Sequence, residues 1–487
     1  MNPIIIKYKS TIASNFKLSP SLHRKSISQN NNSLKVFDFL SRNLEKKDLG
    51  FEVGSLNYVK NSNYFFIRTK ALQNHTFLPE ISNESIESIH PKAFKNYNLK
   101  KGDILISKDS NIGEIIILDK NYLNYMPSGA LYRLPIENRK YYLLAFIKHS
   151  FFRNQLDMIV PKGATIRHAG TKFLDCKIPL PNTNEKNIIA YVEAIMKLII
   201  EFEVAIKNKF RLINDIIITE LNNGQKKNKF NFEQPFFNNL KESKRLDTGI
   251  YSETFKKIDF LIKNYVDGFF FLNTDNFRSG NTPEIRHIGT DSTLKYRWVT
   301  PTNCSDIGYL MVDERISMLG ENNLNQNAML LINRTSRGGR GEYVGIAAYY
   351  DISVYGTGHH NQGIYRVFNY TNEDLIFMTC FMNTDIMRKY CSFMCVGSKM
   401  KELKASQFFT IPFPNFDKKI KSKIVNLYNN ETNLNKELSI IFDKPDLYLN
   451  KGGLVQLEIL LRKLKTKLND TLEKIIINEK ITIDFSV

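Results

Sequence analysis

Apolar residues recur at alternating steps of three and four in three stretches of the chain. This heptad spacing is typical of the stripe along which helices pair, and it predicts coiled-coil helices. A helix packed on its own domain would show a similar stripe, but two of the stripes occupy equivalent places in a repeated chain, which favours the coiled coil. The stripe positions are Ile188, Val192, Ile195, Ile199, Phe202, Ile206, Ile213 and Ile216; then Ile420, Ile424, Leu427, Glu431, Leu434, Leu438 and Ile441; and then Leu454, Leu457, Leu461, Leu464, Leu468 and Ile475.

Two short motifs recur at one separation, 233 residues. Tyr132-Arg133 returns as Tyr365-Arg366, and Ile-Pro-Leu-Pro-Asn at 178–182 returns as Ile-Pro-Phe-Pro-Asn at 411–415. Two matches at the same separation indicate an internal duplication. Short runs that favour β-strands occur in both halves, and a helical stretch follows each set. The strands are predicted at 103–107, 114–118, 130–134, 328–332, 343–348 and 363–368, and the helices near 141–156 and 373–391.

These patterns predict a globular unit, a long helix, a second globular unit and further long helices. The first long helix is predicted from about Asn184 to Leu221, which corresponds to roughly 55 Å at ~1.5 Å per residue. A polar linker without apolar residues follows it at 222–229.

The chain is strongly basic, with 68 Lys and Arg against 49 Asp and Glu in 487 residues, a formal charge of +19. Such a surplus usually serves a polyanion, which is either nucleic acid or an anionic membrane. No apolar run approaches the ~18–20 residues of a spanning helix, so we expect no membrane partner. Five cysteines form no disulfide framework, and the first residues lack a signal-peptide pattern. We therefore expect a reduced, cytoplasmic protein.

Several catalytic motifs are missing. The sequence has no Gly-Lys pair for a phosphate-binding loop, no His-Glu-x-x-His, and no Pro-Pro pair of the kind an amino-methyltransferase needs. Cys391 and Cys395, with His359 and His360, could supply four zinc ligands, but without the common Cys-x2-Cys spacing we favour reduced cysteines and no metal. A Ser-His-Asp arrangement stays open, although no nucleophile-elbow motif marks one. We predict no catalytic residue.

Loops that combine basic residues with glycine follow the predicted strands in both halves. Glycine lets a backbone approach a phosphate, and arginine can pair bidentately with guanine or phosphate. The alternatives are solvated hairpin tips, or turns that lead into the next strand. The candidate DNA contacts are Lys108, Ser110 and Asn111; Lys162, Thr165 and Arg167; Arg286, close to the single Trp298; Arg334, Arg337 and Arg340; and Lys399 and Lys401.

Duplicated units, each closed by Ile-Pro-x-Pro and followed by a long helix, resemble the specificity subunit of Type I restriction-modification systems. Gly-Asn-Thr-Pro at 280–283, continuing to Trp-Val-Thr-Pro-Thr-Asn at 298–303, looks like this family's entry into a target recognition domain. Residues 101–107 look like its Gly-Asp-Ile-Leu strand, and Arg245-Leu246-Asp247 with Tyr251 looks like its opening motif. The first half lacks the Gly-Thr-Pro entry and the second lacks the Gly-Asp pair.

The resemblance implies an α+β fold with two duplicated mixed α/β target recognition domains, separated by long antiparallel coiled-coil helices. The expected divisions are a first target recognition domain at 1–183, a central spacer helix and linker at 184–225, a second recognition domain at 226–416, and C-terminal coiled-coil helices at 417–487.

The resemblance also implies a non-catalytic subunit. Each recognition domain would recognise one half of a bipartite, asymmetric site in double-stranded DNA, and the helices would set the spacer. Two methyltransferase subunits and motor-nuclease subunits would be its partners. S-adenosylmethionine, ATP and Mg²⁺ would bind those partners, which methylate adenine and cleave DNA. The alternatives are the same subunit of a Type IIB-like or other phage-defence system, a basic nucleic-acid-binding scaffold, or a cryptic enzyme.

Overall fold

The structure, a computed structural model, describes residues 30–81, 85–160, 168–282, 286–288, 296–311, 315–317, 323–335, 343–397, 399–430 and 437–483. Helices and small sheets alternate along the chain, so the predicted mixture of α and β structure is confirmed. The chain divides into two compact units. One contains residues up to 205 with 435–449 and those from 459 onward, and the other contains 206–434 with 450–458.

Within its described residues, the first half of the chain contains eight short strands and three α-helices. The strands are β1 Ser33–Lys35, β2 Phe65–Ile67, β3 Ile86–Ser88, β4 Ile104–Ser107, β5 Ile115–Ile117, β6 Tyr125–Pro127, β7 Leu131–Leu134 and β8 Lys177–Pro179. The helices are α1 Lys140–Lys148, α2 Ser150–Ile159 and α3 Glu185–Asn223. The strands form the sheets β5-β4-β7, β3-β2-β6 and β1-β8. In these sheets only the pair of β2 with β6 is parallel.

The second half repeats this order with more strands in its sheets, which are β10-β18-β15-β16, β11-β13-β12-β17-β14 and β19-β9. Its strands are β9 Phe269–Phe270, β10 Phe277–Ser279, β11 Arg286–Ile288, β12 Tyr296–Val299, β13 Arg315–Ser317, β14 Asn323–Leu324, β15 Ala328–Ile332, β16 Ala347–Tyr350, β17 Gly358–His360, β18 Ile364–Val367 and β19 Phe413–Pro414. Its helices are α4 Phe237–Ser243, α5 Glu253–Lys263, α6 Ile352–Tyr355, α7 Asn372–Met382, α8 Asp385–Met394, α9 Ala405–Phe408, α10 Lys418–Tyr428, α11 Leu438–Asp443, α12 Pro445–Lys451 and α13 Leu454–Ile477.

The two halves share strand pairings as well as element order. Tyr132 of β7 pairs with Ile106 of β4, and Tyr365 of β18 pairs with Leu331 of β15. The parallel pair of β2 with β6 has its counterpart in β12 with β17. The strand predicted at 343–348 is displaced and begins only at Ala347, as β16. Gly345 has a φ of +89°, which belongs to a turn and is incompatible with a strand.

The glycine of the predicted domain entry has a counterpart that sequence comparison missed. A Cβ atom on Gly280 would lie 2.1 Å from the carbonyl oxygen of Asn361. A Cβ atom on Gly50 would lie 2.2 Å from the carbonyl oxygen of Ser128, which is the residue 233 positions earlier. The first half therefore keeps the entry glycine, at Gly50, without the Thr-Pro that follows it in the second half.

Replacing this glycine is expected to destabilise the first unit. In Gly50→Ala the new methyl group must push away the backbone of Pro127 and Ser128, which lowers the free energy of unfolding by about 1–3 kcal/mol. Each kcal/mol corresponds to roughly 2–4 °C of melting temperature. Gly54→Ala is the matched control, since its Cβ atom would have no neighbour within 4 Å. Calorimetric melting of the two variants measures the difference, and equal melting temperatures would contradict the proposed close approach.

The first and third apolar stripes are buried as expected. The residues of α3 from Ile188 to Ile213 in the first stripe are buried, whereas beyond them Ile217 takes the buried place predicted for Ile216. All six stripe positions of α13 are buried. Within the first unit, Glu203 of α3 forms an ion pair with Lys465 of α13, and Asn182 donates to Asn478. Because these contacts run in opposite order along the two segments, α3 and α13 lie antiparallel there.

The second stripe does not form the expected long helix. Helix α10 ends at Tyr428, because Asn429 has an extended conformation (φ −137°, ψ 90°) and residue 430 begins a new set of contacts. The Lys421 ammonium lies 2.7 Å from the Asp374 carboxylate of α7, so α10 packs on its own domain. Asparagine side chains compete for backbone hydrogen bonds and favour helix ends. Glu431 and Leu434 lie outside the described residues.

Candidate nucleic-acid interface

The first candidate loop connects β4 to β5, and its backbone is held from inside. The Ser107 hydroxyl donates to the Asp109 carbonyl over 2.6 Å, and the Gly113 amide donates to the Ser107 carbonyl over 2.8 Å. Ser110 adopts a left-handed conformation with φ of +60°. Ser110 and Asn111 are exposed at the tip. Both side chains are therefore accessible from solvent, and their contact with DNA stays a prediction.

Lys108 is less available than Ser110 and Asn111. Its ammonium lies 2.5 Å from one carboxylate oxygen of Asp109, and the His168 ring nitrogen lies 2.7 Å from the other. A backbone bridge joins Asp109 to His168, which brings the first loop beside the segment that precedes Ile-Pro-x-Pro. A phosphate contact by Lys108 would have to compete with this carboxylate.

The second half brings its two candidate loops together in the same way. Arg334 forms a backbone bridge with Glu402. The Thr335 amide donates to the Lys401 carbonyl over 2.9 Å, and the Lys401 amide donates back to the Thr335 hydroxyl over 3.1 Å. Lys399 is exposed in the turn before this ladder. Three predicted contacts, Arg334, Lys399 and Lys401, therefore lie within two neighbouring segments.

Equivalent positions in the two halves have opposite charges. The bridge pairs Asp109 with His168 in the first half and Arg334 with Glu402 in the second. In each half the residue after the bridge donates its amide to the carbonyl before it, over 2.8 Å in both cases. The backbone frame is thus shared by the two halves, while the acidic Asp109 of the first half stands where the second half has the basic Arg334.

Arg334 is the best-placed cation among the described candidates. It is half-buried, and within the described part of the chain no ion pair holds its guanidinium group. Burial raises the pKa of the neighbouring Tyr365 to about 12, with Glu402 adding to the shift and Arg334 opposing it. A cation that is half-desolvated and unpaired is prepared for an anion or a guanine edge.

A buried carboxylate anchors the base of the first loop. Glu114 forms ion pairs with Arg153 of α2 and, at 3.7 Å, with Lys148 of α1. Arg153 also donates to the Ile112 carbonyl within the loop. Burial lowers the pKa of Lys148 to about 8. The loop is therefore fixed to two helices by charges that sequence inspection did not single out, since they stand far apart along the chain.

The other predicted contacts have different outcomes. Arg286 lies in β11, where its backbone pairs with Ser317 of β13. Five candidates lie outside the described residues: Lys162, Thr165, Arg167, Arg337 and Arg340.

The Arg-x-Asp motif near the start of the second domain joins two segments of the fold. The Arg245 guanidinium contacts the Asp247 carboxylate, with Nε 2.7 Å from Oδ1, and donates to the Met394 carbonyl over 2.7 Å. It thereby satisfies a free carbonyl at the end of α8. The hydrogen bonds from Arg245 lower the pKa of Asp247. These contacts explain the motif by packing.

The cysteines of the second half are enclosed in the interior. Burial raises the pKa of the Cys391 thiol, and a Cβ atom on Gly345 would lie 2.6 Å from its sulfur. Among the described residues, no three His, Cys, Asp or Glu side chains gather as a metal site would require. None of the helices in the described part of the chain has the length and hydrophobicity needed to cross a membrane.

Comparison with known families identifies part of the chain. The family of the Type I restriction modification DNA specificity domain matches residues 50–212. Residues 50–212 are a Type I restriction-modification DNA specificity domain. The resemblance to a Type I specificity subunit, predicted from motifs, is thereby confirmed, together with its role in DNA sequence specificity. The matched region includes the Gly50 entry, the first candidate loops and the beginning of α3.

Solved structures similar to this chain include subunits of Type I restriction-modification systems. The Type I S subunit from M. genitalium is 14% identical, with a TM-score of 0.39, over 94% of this chain and 99% of that one. The HsdS subunit from Thermoanaerobacter tengcongensis is 10% identical, with a TM-score of 0.26, over 91% and 96%. A chain from a study of Type I complex assembly and conformational transition is 11% identical, with a TM-score of 0.28, over 92% and 98%. No curated protein matches the chain.

Proposed function

We propose that the chain is a DNA specificity subunit in which two recognition domains each recognise one half of a bipartite, asymmetric site. The observation that carries this proposal is the shared frame of the two loop bridges, with Asp109 in one half at the position of Arg334 in the other. A shared frame suits the same docking on DNA. Different side chains on that frame select different bases, because base contacts specify sequence while backbone contacts only position the protein.

The helices would set the unread spacer between the half-sites. The contacts of α3 with α13 support a revised arrangement, in which α13, rather than the helix after the second Ile-Pro-x-Pro, forms the antiparallel partner. The proposed divisions are the recognition domains at 1–183 and 226–416, with spacer helices at 184–225 and 417–487. Linking two weak DNA-binding domains raises their effective concentration at a split site.

The proposed partners are double-stranded DNA, two methyltransferase subunits and motor-nuclease subunits. S-adenosylmethionine, ATP and Mg²⁺ would bind those subunits, and this chain would act in the cytoplasm without catalysing a reaction. The net charge of +19 supports the DNA partner.

Mapping of adenine methylation tests the proposal. The chain is co-produced with its methyltransferase partner in a host without that modification, and the genome is sequenced with and without this gene. A split, asymmetric motif that depends on the gene is the expected result. An expressed methyltransferase with no such motif would contradict the proposal and favour a general nucleic-acid scaffold.

Arg334→Ala is expected to weaken binding of the split site by about 1–3 kcal/mol, because it removes an unpaired, half-buried cation. Arg334→Lys separates the two kinds of contact. A phosphate contact tolerates lysine, whereas bidentate recognition of guanine does not. Titration of the methyltransferase complex with labelled duplexes measures both variants, and binding by Arg334→Ala equal to the wild type would remove this residue from the interface.

A further inference from the structure

A buried polar junction joins the first recognition domain to the helix pair. The loop at residues 73–77 lies between β2 and β3 and is held by three charged side chains from three helices. Lys148 at the end of α1 donates to the carbonyls of Gln73 and Thr76. The other two charged residues, Glu203 and Lys465, lie on α3 and α13, and all of these residues belong to the first unit.

Both carboxylate oxygens of Glu203 have contacts in this junction. One carboxylate oxygen accepts from the Thr76 hydroxyl over 2.9 Å and from the Phe77 amide over 2.8 Å. The other oxygen lies 2.7 Å from the Lys465 ammonium, which also donates to the His75 carbonyl over 2.9 Å. The Glu203 side chain is only 6% exposed, and it lies directly beside Phe202 of the apolar stripe of α3.

The junction continues to the candidate DNA-contact loop. The Phe77 carbonyl accepts from the Ile117 amide of β5 over 2.8 Å, and β5 follows directly after Glu114. Lys148 lies 3.7 Å from that Glu114 carboxylate. The helix pair, the 73–77 loop and the strand that carries the first DNA-contact loop are therefore connected through hydrogen bonds and ion pairs.

Such a junction fixes position where apolar contacts alone would not. Leucine and isoleucine stripes on paired helices can shift by a turn and still bury similar surface. A buried carboxylate finds its partners in one arrangement only, and leaving it without them is costly. A single polar residue within an otherwise apolar helix contact is the best-attested way of fixing the register of paired helices, and Glu203 adjoins such a contact at Phe202.

We propose that Glu203, together with Lys465, is a positioning residue that fixes the first recognition domain on the spacer helices and so restricts the number of base pairs between the half-sites. This inference rests on the proposed function. Glu203 contacts no DNA in this role. Its loss should leave both half-site sequences unchanged and relax only their separation.

The test uses the full chain co-produced with its methyltransferase partner, and DNA that carries both half-sites at the native spacing and at one base pair more or less. Glu203→Leu is expected to lower the preference for the native spacing at least tenfold. Glu203→Gln retains an acceptor for the Phe77 amide and should keep most of the preference. Glu201→Leu is the matched control, an exposed acid on the same helix that loses the same charge.

Lys465→Met is a second, independent test of the junction. It removes the ion pair but leaves the hydrogen bonds of Glu203 to Thr76 and Phe77 in place, so the variant is expected to fold. We expect it to relax the spacing as well, and circular dichroism checks that each variant is folded. Folded Glu203→Leu and Lys465→Met variants with the wild-type preference would overturn the inference. A wild-type chain that directs no split motif would instead overturn the proposed function, so the two failures are distinguishable.

Discussion

Deleting residues 206–212 from α3 together with residues 458–464 from α13 is expected to shorten the unread spacer by about three base pairs. Seven residues of helix correspond to ~10.5 Å, and base pairs rise by ~3.4 Å. A seven-residue deletion rotates the remaining helix by only ~20°, so the apolar stripes stay aligned. Ile213 then takes the place of Ile206, and both Glu203 and Lys465 are retained. Methylation mapping of the shortened chain measures the new spacing.

A five-residue deletion in the same places is the control, because it rotates the remaining helix by about 140°, turns the stripes away from each other and should abolish methylation rather than shift it. Both half-site sequences should survive the seven-residue deletion unchanged. An active shortened chain with the original spacing would show that the helices do not set the separation.

Glu114→Ala is expected to be the most destabilising single substitution among those considered, at about 3–5 kcal/mol. It leaves the buried ammonium of Lys148 and the partly buried guanidinium of Arg153 without their shared carboxylate. The melting temperature of the first unit should fall on the order of 10 °C, as calorimetry can measure. Recognition of one half-site should weaken with it, because the loop that ends at Glu114 loses its anchor.

An exposed ion pair provides the matched comparison. Lys35 and Asp175 form a pair at 3.1 Å with side chains 53% and 65% exposed. Lys35→Ala should change stability by less than ~1 kcal/mol, since surface pairs contribute little. Equal effects of Lys35→Ala and Glu114→Ala would show that Glu114 is not buried as described.

Local periodicity and repetition predicted much of this fold. Heptad spacing identified the buried faces of α3 and α13, and the repeated Tyr-Arg pair identified β7 and β18 as equivalent strands. The end of α10 at Tyr428 was missed because the apolar spacing of the sequence continues through residues 429–441. Apolar periodicity does not show where local backbone contacts stabilise the end of a helix more than its continuation.

The candidate site was harder to predict, because its determining contacts are distant in sequence. Loop composition pointed to Arg334 and Lys401, whose segments lie in one backbone ladder. It did not reveal that Lys108 forms an ion pair with Asp109, or that the His168 ring contacts the other oxygen of the same carboxylate. Gly50 was missed because its requirement comes from the approach of another strand, which no local motif records.

The contacts of α13 have a consequence for synthesis on the ribosome. Asn30 donates to the carbonyls of both Leu180 and Ile475, and Glu203 awaits Lys465, so the first recognition domain is completed by residues made after the whole second unit. Domains usually fold in the order of their synthesis. Here the unit that begins first must finish last, and a late frameshift would damage the half-site recognition encoded at the opposite end of the gene.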